Sequence, residues 1–320
     1  MPLSVNACAE PLVRQLIDNA SQLRVEVSQQ DNGCTVVDAG IDAQGGLEAG
    51  VLIARICMAD LGSVKLSTRS RFKRWPWHVE VTTSQPVTSC LASQYAGWGL
   101  DIKGENKFFA LGSGPARALA LKELLFKDLN YKDSAQSTCL VLETDKFPPE
   151  ELAQKITHDC NVDNENLTLI LTPTGSLAGV VQISARVVEV ALHKTHELDF
   201  PLDNVVDGAG ITPLPPPSKD SLQAMGRTND TILFGGDVHL FVNGPDDDAQ
   251  DLANRLPSSA SRDYGKPFSE VFKEYDYDFF KVDPMLFSPA RVSVTALQSG
   301  NTFVAGELNE ALLERSFFGE

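Results

Sequence analysis

The chain has 320 residues, of which 42 % are hydrophobic, and its 43 acidic and 27 basic residues give a net charge of −16. This composition is that of a folded protein, and the acidity argues against nucleic acid or an anionic membrane surface as the main partner. No apolar stretch approaches the ~20 residues that cross a bilayer, and the first residues lack the basic and apolar segments of a signal peptide, so we expect a cytoplasmic protein.

Helix-like and strand-like patterns alternate along the first 200 residues, which predicts an α/β protein. In chain order, the predicted elements are a helix over 6–23, strands over 24–28 and 34–37, a helix over 47–61, strands over 78–82 and 107–111, a helix over 116–125, a strand over 139–143, a helix over 148–160, a strand over 167–171 and one long helix over 176–196.

The segment 205–229 is rich in loop-forming residues, with Gly208, Gly210 and a run of prolines over 213–217. Proline lacks an amide donor and glycine weakens regular structure. We therefore expect a surface connector here, rather than a central strand or a helix interior.

The six cysteines are dispersed, and no two have the C-x-x-C spacing. This distribution predicts neither a zinc site nor a disulfide framework, but reduced thiols.

A Gly-rich loop over 112–117 follows a predicted strand and precedes a predicted helix. Backbone N–H groups at such a turn can bind an anion, with Ser113 as a further donor and Arg117 as a forked one. The loop is not a dinucleotide motif, because Arg117 occupies the third glycine position of G-x-G-x-x-G. A tight structural turn and an anion or substrate loop both remain open.

A charged pair, Arg186 and Glu189, lies in the most apolar of the predicted helices. A helix that is apolar around most of its circumference is buried, so the two charged side chains must be paired or must line a cavity. Gln182 precedes Arg186 by one predicted turn, and the three side chains would share one helix face. A plain salt bridge and a functional site are both consistent with this pattern.

Several stretches resemble the methenyltetrahydromethanopterin cyclohydrolase family. They run in order over nearly the whole chain, at 92–98 (ASQYAGW), 110–118, 175–179, 182–189, 224–230 and 283–290. The resemblance implies a fold of two mixed α/β domains with a large pocket between them, and we place the domains at 1–89 plus 175–320 and at 90–174. It also implies a homo-oligomer, with a trimer favoured, that needs no metal or nucleotide cofactor.

The resemblance further implies an activity. Enzymes of this family add water to N5,N10-methenyl-tetrahydromethanopterin and open the ring to the N5-formyl compound, in formaldehyde oxidation or in methanogenesis. The catalytic Glu and Arg of the family fall on Glu189, as general base, and on Arg186, which orients it and keeps it ionised. The expected substrate-binding residues are Gln94, Tyr95, Gly112, Ser113, Gly114, Arg117 and Gln182.

Two other functions are compatible with such a chain. One is a non-catalytic pterin- or phosphate-binding protein of the same fold, which would have no reason to bury Arg186 with Glu189. The other is a pterin-linked dehydrogenase, which needs a nucleotide site that the sequence does not show.

Overall fold

A computed structural model describes residues 3–68, 71–104, 106–278 and 281–319. The chain forms two compact units. Unit 1 comprises the residues up to Gly62 together with Thr88–Gln182, and unit 2 comprises Ser63–Val87 together with the residues from Ile183 onward. The chain is therefore α/β with two sheet-centred domains, as predicted. The pocket between the domains and the domain limits inferred from the sequence stay predictions.

Unit 1 is built on a mixed sheet of six strands. Its strands, in sheet order, are β1 (Glu26–Gln29), β2 (Thr35–Asp38), β8 (Leu167–Leu171), β7 (Thr138–Glu143), β6 (Phe108–Ser113) and β5 (Trp98–Ile102). The central strands β2, β8 and β7 are parallel, whereas β1, β6 and β5 pair antiparallel with their neighbours.

Helices cover both faces of this sheet. The helices of the unit are α1 (Val5–Asp18), α2 (Ala20–Leu23), α3 (Leu47–Cys57), α4 (Arg117–Ala120), α5 (Leu125–Leu129), α6 (Glu150–Cys160) and α7 (Leu177–Ser184), and the last two residues of α7 belong to unit 2. Alternate side chains of β7 enter two separate cores: Val141 packs in a cluster that contains residues of α1 and α3, and Leu140 and Leu142 pack in one that contains residues of α6. Burial on both faces explains why β7 and β8 are continuous apolar runs in the sequence.

Unit 2 is built on a second mixed sheet of six strands. Its strands, in sheet order, are β12 (Thr302–Gly306), β11 (Arg291–Ala296), β10 (Asp237–Val242), β9 (Val205–Pro213), β4 (Trp77–Thr83) and β3 (Ser63–Thr68). Only β10 and β11 are parallel. The helices of the unit are α8 (Val187–Glu197), α9 (Ser221–Gly235), α10 (Asp246–Arg255), α11 (Phe268–Glu274) and α12 (Glu310–Phe318).

The connector predicted over 205–229 is wrong. Residues 205–213 form β9, which pairs with both β10 and β4, and α9 begins at Ser221. The glycines of β9 lie in a strand because helix α8 packs so closely on it that a Cβ at Gly210 would come within 2.8 Å of Val187 Cγ1. They are there for packing, not for turn geometry.

The single helix predicted over 116–125 is also wrong. Helix α4 ends at Ala120 because Leu121 has a φ of +52°, in the left-handed region, and α5 starts only at Leu125. Such a residue cannot continue a right-handed helix.

All six cysteines are free thiols; five are buried, and Cys8 is half-buried. Burial raises the pKa of the Cys34 and Cys160 thiols to about 12, so these groups stay protonated at neutral pH. Within the described part of the chain, no helix combines the length and apolarity needed to cross a membrane.

Candidate functional site

The chain between α7 and α8 is interrupted at Ala185 and Arg186. Arg186 has φ −82° and ψ 4°, and its N–H bonds to the carbonyl of Ile183 at 3.0 Å rather than four residues back. One long helix over 176–196 was therefore a wrong prediction, and so was a common helix face for Gln182, Arg186 and Glu189. The break lies in an apolar run without Gly or Pro, so helical periodicity carries no sign of it.

Arg186 and Glu189 form an ion pair at the start of α8. Arg186 Nη1 lies 3.9 Å from Glu189 Oε2, and the two residues are only 5 % and 3 % exposed. Because α8 restarts just after Arg186, Glu189 lies in its first turn. The positive end of the helix dipole and the guanidinium both favour a charged carboxylate there. The arrangement provides a buried base next to a permanent positive charge.

Six of the seven predicted binding residues, all except Gln182, lie together in unit 1. Residues 87–94 form a π-helix, a rare conformation that is common at functional sites. The last residue of β6 and the first residue of the following loop pack on its end. Ser113 Oγ donates to the carbonyl of Gln94 at 2.5 Å, and the N–H of Gly114 donates to the carbonyl of Ser93 at 2.9 Å. The structure therefore brings residues 94–95 and 112–117 to one place.

Arg117 is fully buried, and its guanidinium is engaged by the protein. It makes a two-point ion pair with Glu123, at 2.9 and 2.5 Å, and donates to the carbonyls of Leu91 and Ser93 at 3.0 and 2.9 Å. The ring of Tyr95 lies 5.2 Å from its guanidinium carbon. These contacts hold the π-helix against α4. A ligand would have to compete with them, so a binding role for Arg117 stays a prediction.

Packing and backbone geometry explain why glycine occupies positions 112 and 114. A Cβ at Gly112 would lie 2.9 Å from a methyl group of Leu140, and Gly114 has a φ of +112° that favours glycine. In the same unit, Gln182 is buried, and its amide donates to Thr172 Oγ1 at 3.4 Å.

Sequence reasoning missed a buried carboxylate, Asp38, at the end of β2. Its two oxygens accept four backbone N–H groups, from Gly40, Ile41, Asp42 and Ala43, at 2.6–2.9 Å. Burial alone would raise the pKa of Asp38, but the four hydrogen bonds outweigh it and lower the pKa below its ordinary value. The carboxyl ends of parallel strands are where α/β sheets bind ligands. An Asp two residues before Gly, directly after an apolar strand, was the available signal.

Sequence reasoning also missed the buried state of Lys194 in unit 2. Its Nζ donates to the carbonyls of Pro257 and Met285 at 3.0 and 2.8 Å. Burial lowers the pKa of Lys194 to about 8, although nearby Asp283 opposes the shift. Lys194 joins two loops of the unit to α8.

A surface cavity of about 850 Å³ lies in unit 1, lined by polar side chains of α6 and the loop after it, such as Thr157, Asn161 and Asn164. None of the predicted site residues lines it. Among the residues that the structure describes, no group of three or more His, Cys, Asp or Glu side chains is placed to hold a metal ion.

Comparison with known proteins gives consistent matches over the full chain. Residues 4–317 match the family model described as Cyclohydrolase (MCH). A methenyltetrahydromethanopterin cyclohydrolase of Methylobacillus flagellatus is 60 % identical over 98 % of this chain and 95 % of its own. Proteins of the same name from Xanthobacter autotrophicus and Methanothermobacter marburgensis are 56 % and 43 % identical, over 99 % and 98 % of this chain and 93 % and 99 % of theirs.

Proposed function

The chain belongs to the methenyltetrahydromethanopterin cyclohydrolase family, and we infer that it is an enzyme which adds water to N5,N10-methenyl-tetrahydromethanopterin to form the N5-formyl compound. Matches to both bacterial and archaeal cyclohydrolases over nearly the full chain carry this conclusion. The buried ion pair of Arg186 and Glu189 supports it, since burying two charges carries a desolvation cost, and a catalytic role would explain why the chain retains the pair.

The methenyl carbon of the substrate is already electrophilic, because its positive charge is shared by two nitrogens. What the reaction needs is a positioned water and a base. Glu189 takes one proton from the water molecule while the water oxygen bonds to the methenyl carbon. The C–N10 bond then breaks, N10 receives the proton from Glu189, and the remaining hydroxyl proton leaves to solvent as the formyl carbonyl forms.

Arg186 assists this sequence in two ways. Its guanidinium stabilises the charged carboxylate of Glu189 before the reaction, and it stabilises negative charge that develops on the oxygen in the tetrahedral intermediate. A planar guanidinium that is always protonated suits both tasks better than an ammonium group.

Substrate binding is assigned to the cluster of unit 1 and to Gln182. Gln94 and residues 112–114 are buried, and Tyr95 is half-buried with its ring over Arg117. The position of an aromatic ring next to a Gly-rich turn supports contacts to the pterin ring and to anionic parts of the substrate.

The remaining parts of the proposal concern cofactor, assembly and location. Hydration of an amidinium carbon consumes only water, which supports an enzyme without metal or nucleotide cofactor. We expect a cytoplasmic homo-oligomer with a trimer favoured, as the family resemblance implies, and no nucleic acid partner, given the charge of −16. Size-exclusion chromatography with light scattering measures the mass of the assembly directly.

The activity is tested with the purified chain and the methenyl compound alone. We expect the methenyl chromophore to disappear at a rate proportional to enzyme concentration, with or without a chelator, and mass spectrometry to identify the formyl product. Binding without loss of the chromophore would indicate the non-catalytic pterin-binding alternative instead.

A further inference from the structure

The first turn of α8, which carries Glu189 and is preceded by Arg186, rests on β9 through two valines. Successive residues of a helix are 100° apart, so Val187 and Val188 lie on the side opposite the ion pair. The valines therefore face the sheet, and the charged groups face away from it.

Beneath these valines, β9 carries glycine at both contact positions. A Cβ at Gly210 would lie 2.8 Å from Val187 Cγ1 and 2.9 Å from Val188 Cγ2, and a Cβ at Gly208 would lie 3.0 Å from Val188 Cγ1. The backbone at these two glycines is not in the left-handed region, so alanine is conformationally allowed. The glycines are needed for close approach, not for their backbone angles.

We propose that Gly208 and Gly210 are positioning residues for the reaction: they set how deeply the first turn of α8 packs on the sheet, and thereby where Arg186 and Glu189 stand. This inference rests on the proposed function. The break at Ala185–Arg186 supports it, because α8 begins its own first turn there and is not a continuation of α7. Side-chain contacts closer than 3 Å require movement, and a branched valine has no flexible end to yield.

The test is the variant Gly210→Ala. The added methyl group lifts Val187 and Val188, and with them the ion pair, by a fraction of an ångström. Displacements of about 1 Å in a catalytic group cost about a hundredfold in rate. We expect kcat to fall by about ten- to a hundredfold, with KM changed by less than about twofold and the far-ultraviolet dichroism unchanged.

Three variants at Gly208 and Val188 test the neighbouring, milder contact. Gly208→Ala meets one methyl group of Val188 at 3.0 Å, and its other contacts are at 3.5 Å or more. We expect a smaller loss of kcat for Gly208→Ala than for Gly210→Ala. The double variant Gly208→Ala with Val188→Ala should have a higher kcat than Gly208→Ala alone, because the contacting methyl group is gone. Val188→Ala alone is the reference for the double variant. A role confined to stability gives no such recovery of kcat in enzyme that is already folded.

Gly99→Ala is the matched control, since Gly99 also lies in a strand but a Cβ there would meet no atom within 4 Å. We expect this variant to retain the kcat of the natural chain. Folded Gly210→Ala with unchanged kcat, or no recovery in the double variant, overturns the inference. If Gly210→Ala does not fold, the Gly208 series decides. An inactive natural chain instead overturns the proposed function itself.

Discussion

Glu189 is held by two sources of positive potential, the guanidinium of Arg186 and the amino end of α8. Neither group depends on a ligand, so both favour an ionised and oriented carboxylate in the free protein. In the proposed mechanism, the positive charge of the substrate would further favour the ionised carboxylate. Substitutions at the two residues separate the role of the base from that of its partner.

Glu189→Gln removes the base and keeps the shape of the side chain. General-base catalysis contributes about 10²–10⁴ in rate, so we expect kcat to fall by that factor while the affinity for the methenyl compound, measured by quenching or calorimetry, changes little. Wild-type turnover in this variant would exclude Glu189 from the mechanism.

Arg186→Lys keeps the charge but loses the planar, forked donor. We expect a loss of about tenfold in kcat, against about 10²–10³ for Arg186→Ala, which leaves the carboxylate without its partner. Steady-state kinetics on the two variants tests this order, and equal activities would show that the charge of Arg186 is not used.

At the scale of elements, the loop after β2 shows how one side chain can accept the hydrogen bonds that regular secondary structure would otherwise provide. Four N–H groups of residues 40–43 converge on Asp38, so the loop has few backbone hydrogen bonds of its own and depends on a charged acceptor.

Asp38→Asn tests that dependence. In asparagine, an NH2 group replaces one of the two carboxylate oxygens, so two backbone N–H groups lose their acceptor. The substitution also removes the negative charge, and hydrogen bonds to charged groups contribute about 1.5–3 kcal/mol each. We expect a loss of about 3 kcal/mol in the free energy of unfolding at pH 7, measured by urea denaturation.

The same carboxylate also gives a dependence on pH. Since the pKa of Asp38 is lowered in the folded state, its stabilisation is complete above the ordinary pKa near 4 and is lost as the pH falls below it. The difference between the natural chain and Asp38→Asn should therefore shrink in acid, and a constant difference would contradict the assignment.

Elements that the local sequence pattern determines were predicted well. The strand over 167–171 was placed as the structure has it, and that over 139–143 within one residue, because both are apolar runs buried on two faces. Elements that depend on distant partners were not. Strand β9 contains glycines because α8 packs on it, and the pairing of β2 with β8 joins residues more than 130 positions apart.

At the site, the sequence predicted Arg186 and Glu189 as a buried pair, and the structure confirms their burial and their ion pair. It could not predict the turn at Ala185–Arg186, because no residue there disfavours a helix on its own. Nor could it show that Glu123 engages Arg117, since that partner follows a break in the predicted helix.

For the whole molecule, pH-dependent stability also involves a buried acid in unit 2. Asp230 of α9 accepts the N–H of Phe268, at the start of α11, at 2.8 Å and the hydroxyl of Ser316, in α12, at 2.6 Å. Burial raises the pKa of Asp230 to about 7, although both hydrogen bonds oppose the shift. One side chain thus joins three helices.

Asp230→Asn tests this contribution. Between about pH 4 and pH 7 the unfolded chain releases a proton that folded Asp230 keeps, so stability falls as pH rises, by about 1.4 kcal/mol per pH unit. The asparagine variant lacks this loss, so its Tm relative to the natural chain should be higher at pH 8 than at pH 5. A difference in Tm that does not change with pH would contradict the raised pKa.

The distribution of thiols has a practical consequence. Five of the six thiols are buried, and Cys8, near the start of α1, is the one with partial access to solvent. Burial and the neighbouring Asp133 and Asp60 raise the pKa of Cys8, so its labelling needs mildly alkaline buffer. A maleimide dye or a nitroxide can thus be attached at one known position of the native chain, without first replacing the other cysteines.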